Sequence, residues 1–202
     1  LTETGAQILS NPLPPKTRKI GSPGIGYGNE IMIADDKQNP LAAHEEGEIL
    51  VRGSNVMQGY LDRPEETAKT ITADGWLRTG DLGRMDEDGF VFVTGRIKEL
   101  IIKGGENIAP REVDEALLEH DAVLEAAAFA RPCQDYGQRV EACVRLKDGR
   151  TVSENDLREF CKNLIGAYKT PDHIHFLDDL PKGPSGKIQR MKLIDLAPAA
   201  NG

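Results

Sequence analysis

A chain of 202 residues, 39% hydrophobic and 29% charged, is long enough for one large or two small domains and has a folded rather than a disordered composition. Its formal net charge of −8 and the lack of any basic run exclude a nucleic-acid partner, because nothing would neutralise the phosphates. No apolar run reaches the roughly 18–20 residues that span a bilayer, and Cys133, Cys143 and Cys161 are too scattered for a disulfide framework or a zinc site, which points to the cytoplasm or another reducing compartment.

Leu1 is not a start methionine and no signal or transit segment follows it, so the chain is expected to begin part-way into a longer protein. Residues 1–23, rich in Pro, Gly, Thr and Asn, read as extended loop, and residues 24–95 as mostly strand. Glu30–Asp35 and Gly47–Arg52 are short apolar runs closed by turn residues. A short helix is expected at 64–71, where Pro64 suits the first turn. Asp81–Arg84 and Phe90–Thr94 read as a hairpin around Asp86-Glu87-Asp88-Gly89, with Gly89 free to take a positive φ.

After Arg96 strand and helix alternate, and a boundary is drawn at residues 96–98. Pro110–His120 reads as a helix with Val113, Leu117 and Leu118 toward a core. Val123–Ala130 is a strand, and Val140, Ala142, Val144 and Leu146 alternate with polar residues as in a half-buried one. Ser153 caps a helix with Leu157, Phe160, Cys161 and Leu164 on its apolar face. Ile174–Leu177 is a further strand, on which His173 and His175 share a face as ordinary partly buried histidines, a metal pair being the lesser reading. A Gly/Pro loop at 181–186 and a short terminal helix close the chain.

Three constellations could carry chemistry. Thr79-Gly80-Asp81 places an acid after a glycine turn, where it could accept from a pair of vicinal hydroxyls; it could equally be a plain turn before a strand. Gly95–Ile108 combines the permanent multi-donor cation Arg96 with the adjacent glycines Gly104 and Gly105, which let backbone approach a ligand; a strand–turn–helix link with solvated lysines has the same letters. Pro181-Lys182-Gly183-Pro184-Ser185-Gly186-Lys187-Ile188 carries a lysine on a Gly/Pro loop that could neutralise developing negative charge, or could be a basic surface loop. It is not a Walker-type phosphate loop, because Pro181 and Lys182 stand where the first glycine belongs and Ile188 replaces the Mg²⁺-holding hydroxyl.

In order, Thr2-Glu3, Gly47-Glu48-Ile49, Gly59-Tyr60, Thr79-Gly80-Asp81, Gly95-Arg96-Ile97-Lys98, Gly104-Gly105-Glu106-Asn107, Pro110-Arg111-Glu112-Val113 and Pro184-Ser185-Gly186-Lys187 resemble the downstream motifs of the adenylate-forming family, which holds acyl- and aryl-CoA synthetases, luciferases and peptide-synthetase adenylation domains. The resemblance implies an α+β chain: residues 1–95 as the β-rich end of a large adenylation domain, 96–98 as a hinge, and 99–202 as a mobile lid with a short, mainly antiparallel sheet flanked by helices. By the same resemblance Thr2 contacts phosphate and Glu3 helps hold Mg²⁺. Asp81 binds the ribose of ATP or AMP, and Arg96 contacts ribose or phosphate. Lys98 is the hinge, and Gly104, Gly105 and Glu106 border the channel for coenzyme A. Lys187 serves adenylate formation: between an attacking carboxylate and the α-phosphate it would offset the repulsion of two anions.

The implied activity is an ATP-dependent carboxylic acid–CoA ligase that forms acyl-AMP and then acyl-CoA, with ATP, Mg²⁺, coenzyme A and a small carboxylic acid as its partners. Lys98 in place of the aspartate of peptide-synthetase domains, and Lys103-Gly104-Gly105-Glu106-Asn107-Ile108, resemble the CoA ligases. Residues 11–24 are similar to coumarate– and oxalate–CoA ligases. Ala6 stands where oxalate-activating members carry histidine, and Ile102 and Glu106 replace a lysine and an aromatic of coumarate-type enzymes. Gly5, Ala6 and Gln7 are expected to touch the acyl end, while the phosphate loop, the adenine pocket and most of the acyl pocket would precede Leu1, so the chain alone should lack synthetase activity. The competing readings are an adenylating enzyme that loads a carrier protein or another acceptor, a non-catalytic module derived from the family, and more distantly a P-loop kinase. Oligomeric state is not readable from the sequence.

Overall fold

The computed structural model describes residues 1–5 and 7–198; the expectation that turned on Ala6 lies outside them. The chain forms two compact units, Leu1–Lys98 and Glu99–Gly202. In the first, β1 (Leu9–Ser10) and β2 (Ile25–Gly26) form a small antiparallel pair. The main sheet is antiparallel, in the order β3 (Glu30–Ala34), β4 (Gly47–Arg52), β5 (Leu77–Met85) and β6 (Val91–Arg96). The central strand β4 is buried from Gly47 to Val51, and Ile33, Ile49, Val51 and Val91 form the core with Ile8, Ile31, Val56 and Val93 packed on it. Each such aliphatic side chain contributes about 1.5–3 kcal/mol when fully buried.

The β5–β6 connection is the expected hairpin, with Gly89 at φ 81° and with strands longer than the alternating residues alone suggested. Its Asp86 turn is pinned by Lys19, which reaches Asp86 and Asp88 and lies over the Phe90 ring. The short helix α1 runs from Pro64 to Thr70, one residue shorter than expected, because Ile71 turns extended and its N–H donates to Thr67 O.

The second unit is built on a long antiparallel hairpin, β9 (Val123–Cys133) and β10 (Gly137–Leu146), preceded in the chain by β7 (Ile101–Lys103), β8 (Glu106–Ile108) and helix α2 (Pro110–Leu118). After it come helix α3 (Glu154–Ile165), strand β11 (His173–Phe176) and helix α4 (Leu193–Leu196). β11 lies parallel to β10, and β7 meets β10 through Lys103 and Gly137. Ser153 caps α3, its Oγ accepting from the Asp156 N–H.

Three readings of the apolar pattern need correction. Leu118 and Leu164 are exposed, because α2 and α3 each bury a narrower stripe, Val113 with Leu117 and Leu157 with Cys161. β10 is not half-buried: Val140 to Val144 is covered on both faces. One face packs with α2 and α3, and the other joins Ala127, Phe129, Leu180 and Leu193. Glu141 therefore sits fully buried in the sheet, where it accepts from Arg131 at 2.6 Å, Arg139 at 2.7 Å and His175 at 2.9 Å. Burial alone would raise its carboxyl; Arg131, His175 and Arg139 together hold it below the ordinary carboxylate range. That network also explains His175. His173 instead lies 3.5 Å from Glu154, so the two histidines face separate carboxylates.

Candidate active site

Asp81 and Arg96 are direct cross-strand partners on β5 and β6. Arg96 Nε donates to Asp81 Oδ1 at 2.7 Å. Gly80, at φ 71°, makes the bend that turns Asp81 outward, and its N–H donates to Glu48 Oε1 at 3.0 Å. Glu48 is itself held by Arg78, and the Asp81 N–H donates to Thr79 Oγ1, whose hydroxyl donates to Ile49 O. The turn is thus fixed on both sides by β4. Asp81 Oδ2 accepts no hydrogen bond from the described residues, which leaves an oriented, partly exposed acceptor beside a permanent cation.

At the start of the same unit Thr2–Thr4 form a 3-10 turn. Thr2 is exposed and Glu3 half-buried. Tyr60 Oη donates to Glu3 Oε1 at 3.0 Å, the Met57 N–H donates to Glu3 O at 2.8 Å, and Asn55 Nδ2 donates to Thr4 O. The hydrogen bond to Glu3, followed by burial, raises the Tyr60 phenol above its ordinary pKa. A carboxylate aligned by one donor, with its second oxygen accepting no hydrogen bond from the described residues, suits a hard cation such as Mg²⁺. Lys98 is an exposed residue in the 3-10 turn Ile97–Glu99.

In the second unit Gly104 and Gly105 are the central residues of the β7–β8 turn, with Lys103 opposite Glu106. Both have positive φ, 56° and 89°, as a two-residue hairpin of primed type requires. Tyr168 Oη donates to Lys103 O, the Gly104 N–H donates to Tyr136 O at 2.9 Å, and the Ile102 N–H donates to Gln138 Oε1 at 2.7 Å. A Cβ at Gly104 would lie 3.0 Å from Tyr168 Oη. The Lys103 side chain is nearly buried, paired with Asp172 at 3.1 Å and lying over the Tyr136 and Tyr168 rings.

Lys187 lies on a second tight turn. Lys182 and Ile188 bridge, the Gly186 N–H donates to Gly183 O, and the Gly183 N–H donates to Lys187 O. With Pro184 in the turn and Gly186 at φ 77°, this is a three-residue hairpin loop closed by a glycine bulge. The segment is a formed hairpin and not a slack loop. The Lys187 side chain is exposed and forms no salt bridge with a described residue.

The two turns are held by different parts of the β9–β10 hairpin. Lys182 pairs with Glu125 near its open end, whereas the Gly104 turn is bonded to Tyr136 and Gly137 at its closed end. Glu125 and Cys133 are about 26 Å apart along a strand that rises ~3.3 Å per residue.

Two family models match the chain, "AMP-binding enzyme" over residues 1–61 and "AMP-binding enzyme C-terminal domain" over residues 112–187. The chain belongs to the AMP-binding enzymes. Among relatives of this family, it is 49% identical to a sulfoacetate–CoA ligase of Cupriavidus necator, over 98% of this chain and 39% of that protein. It superposes on ATP-bound MatB from Rhodopseudomonas palustris with a TM-score of 0.90 at 33% identity, over 97% of this chain and 40% of that one. With the o-succinylbenzoate CoA synthetase of Bacillus subtilis, solved with its acyl-adenylate intermediate, the TM-score is 0.84 at 37% identity, over 96% and 39%. The chain thus spans about two fifths of the length of these relatives.

Read as an AMP-binding enzyme, the chain brings Asp81 and Arg96 together and places Thr2 and Glu3 beside Tyr60 in the first unit. Gly104, Gly105, Glu106 and Lys187 are all in the second, on separate turns. Sequence reasoning missed three supporting residues: Tyr60 as the donor to Glu3, Lys103 as the buried cation under the glycine turn, and Arg190. Tyr60 was within reach, since Gly59-Tyr60 is one of the motifs that carry the family resemblance.

Proposed function

We propose that the full-length protein is an ATP-dependent carboxylic acid–CoA ligase that makes acyl-AMP and then acyl-CoA. In this reading residues 1–95 end the large domain, 96–98 form the hinge and 99–202 the lid. Asp81 accepts from the ribose hydroxyls through its free Oδ2, with Arg96 beside the ribose or phosphate. Glu3 offers a carboxylate oxygen to Mg²⁺, which neutralises the phosphates when bound, and Thr2 offers its hydroxyl to phosphate. Lys187 places its ammonium where the acid's carboxylate meets the α-phosphate.

The observation that carries the reading is that the Lys187 turn and the Gly104-Gly105 turn are separate hairpins held by different parts of the β9–β10 hairpin, the first through Glu125 and Ala128 and the second through Tyr136 and Gly137. Both are closed, hydrogen-bonded hairpins, so neither reaches far by local flexing. A reaction in two steps, in which the acid's carboxylate oxygen first displaces pyrophosphate from the α-phosphorus and a thiol then displaces AMP from the carbonyl carbon, calls for two separate surfaces presented in turn. The Gly104-Gly105-Glu106 edge, with little side chain at its tip, leaves room for a narrow thiol-bearing arm. An enzyme that stopped at the adenylate would have no use for the second surface. Delivery to a carrier protein would use it as well, and the names of the relatives favour CoA.

The test is made on the full-length enzyme with a panel of small acids, with release of AMP and formation of thioester followed together. CoA-dependent AMP release with stoichiometric acyl-CoA is expected. AMP release that needs a carrier protein, or adenylate that accumulates unchanged in the presence of CoA, would overturn the assignment. The isolated chain is expected to show no carboxylate-dependent ATP–pyrophosphate exchange.

A further inference from the structure

We propose that Arg190 is the positioning residue that holds Lys187 in register with the first residues of the second unit, so that Lys187 moves as a fixed part of that unit. The proposal rests on the reading of Lys187 given above. Arg190 follows Lys187 by three residues, just beyond the hairpin that the Gln189 N–H closes on Pro181 O at 2.7 Å. Its guanidinium is mostly buried and its donors are directed to three different elements. Nη2 and Nη1 donate to the two carboxylate oxygens of Asp114 on α2, at 2.8 and 3.3 Å. Nη1 also donates to Ala128 O on β9. Nε donates to Glu99 Oε2 at 3.1 Å.

Each partner is itself fixed. Asp114 Oδ1 accepts from the Ala128 N–H at 2.5 Å, so α2, β9 and the guanidinium form one closed set. Glu99 is the first residue of the unit, directly after Lys98. One side chain therefore ties the segment that carries Lys187 to the residue next to the expected hinge. An arginine suits this place and a lysine does not, because only the planar fork can satisfy Asp114 with two donors while a third is turned to Glu99. Without it, the terminal segment keeps its apolar anchorage through Leu193 and Ala197 and the Lys182–Glu125 pair, but loses its tie to α2 and to Glu99. Lys187 would then be carried imprecisely, and a misplacement of ~1 Å in a charge-stabilising group commonly costs about 10²-fold in rate.

The experiment uses the full-length enzyme and both half-reactions: ATP–pyrophosphate exchange for adenylate formation, and acyl-CoA formation from pre-made acyl-adenylate. Arg190→Ala is expected to lower kcat for exchange roughly a hundredfold, with KM for ATP and the thioester step within about threefold. Arg190→Lys, the milder variant in case Arg190→Ala folds poorly, should lose about tenfold in exchange. The decisive arm is the Lys187→Ala/Arg190→Ala double variant. If Arg190 acts through Lys187, the second substitution adds nothing to the loss caused by the first. Additive losses, or equal losses in both half-reactions, would overturn the proposal and leave Arg190 a general prop of the unit. Full exchange in Arg190→Ala together with its loss in Lys187→Ala would also overturn it, while the ligase reading stood. Full exchange in Lys187→Ala would instead bring down the ligase role of Lys187 itself.

Discussion

Arg96 stands directly opposite Asp81 on the β5–β6 ladder and donates to only one of its two carboxylate oxygens. The pair is more than half exposed on the arginine side, so its worth as an ion pair is small, roughly 0–1 kcal/mol. Its value lies in orientation: the aligned carboxylate turns its second oxygen outward. Asp81→Asn is therefore expected to leave Tm within a degree or two while raising KM for ATP by about 10–100-fold, since an amide presents one acceptor where a ribose diol needs a carboxylate. Steady-state kinetics and a thermal melt on the same full-length preparation check both halves. A melt lowered in step with KM would mean that Asp81 is a structural residue only.

Tyr60 and Glu3 lie far apart in sequence, yet the phenol donates to the carboxylate at 3.0 Å. Tyr60→Phe removes that donor and leaves Glu3 free to rotate, so the Mg²⁺ concentration at half-maximal activity should rise by about three- to tenfold, which corresponds to ~0.6–1.4 kcal/mol, the net worth of a typical hydrogen bond. The phenol's pKa is raised in the fold, so its contribution to stability is complete below its ordinary value near 10 and is lost as pH climbs past it. Above pH 10 the stability of Tyr60→Phe should fall less steeply than that of the parent, as followed by urea melts.

Cys143 and Cys161 are fully buried, and their thiols are pushed up to about 11, Cys143 by burial and then by Glu141, Cys161 by burial and then by Glu112. Cys133 is partly exposed. In the native protein at pH 8 a disulfide reagent should modify Cys133 quickly and the two buried thiols only on unfolding, as peptide mapping of labelled protein would show. A raised thiol pKa favours the neutral form in the fold, so the stabilisation is complete below about pH 9 and is lost as pH rises through 11. Each thiol should account for about 2–3 kcal/mol of that loss. A Cys143→Ala/Cys161→Ala variant should therefore show a shallower decline of stability between pH 9 and 11 than the parent, even if it is less stable at neutral pH.

The sequence was legible where the determinant is local. Pro64 opening α1, Gly89 closing a hairpin and Ser153 capping α3 each act within a few residues, and each is where the pattern put it. The apolar pattern failed where partners are distant. Leu118 and Leu164 have helical spacing but face solvent, because α2 and α3 bury only the residues that meet the sheet. β10 looked half-polar because Glu141 interrupts its apolar run, and only Arg131, Arg139 and His175, brought from three strands, make a buried glutamate tolerable there. The candidate site divides in the same way. Asp81 and Lys187 were visible as residues beside glycine turns, while Arg190 had no signal, since Asp114 and Glu99 lie 76 and 91 residues from it.

The separation of the two turns makes opposite predictions for Lys187 and Lys98. Loss of the Lys187 ammonium removes charge stabilisation only where carboxylate meets phosphate, so Lys187→Ala in the full-length protein should lose on the order of 3–4 kcal/mol of transition-state stabilisation, about 10²–10³-fold, in ATP–pyrophosphate exchange. Thioester formation from supplied adenylate should stay within a few-fold. Lys98 lies in the 3-10 turn Ile97–Glu99, whose φ range near −60° is one that proline accepts. Lys98→Pro therefore keeps this backbone conformation but forbids others, and if the unit must turn about this point, one half-reaction survives while the other falls. The surviving step should be adenylate formation and the lost one CoA transfer, the reverse of Lys187→Ala. Rapid-quench measurement of both steps in the two variants decides the matter: equal losses in both steps, or CoA transfer untouched in Lys98→Pro, would remove Lys98 as the pivot, because a fixed φ at a pivot cannot be indifferent to a rotation through it.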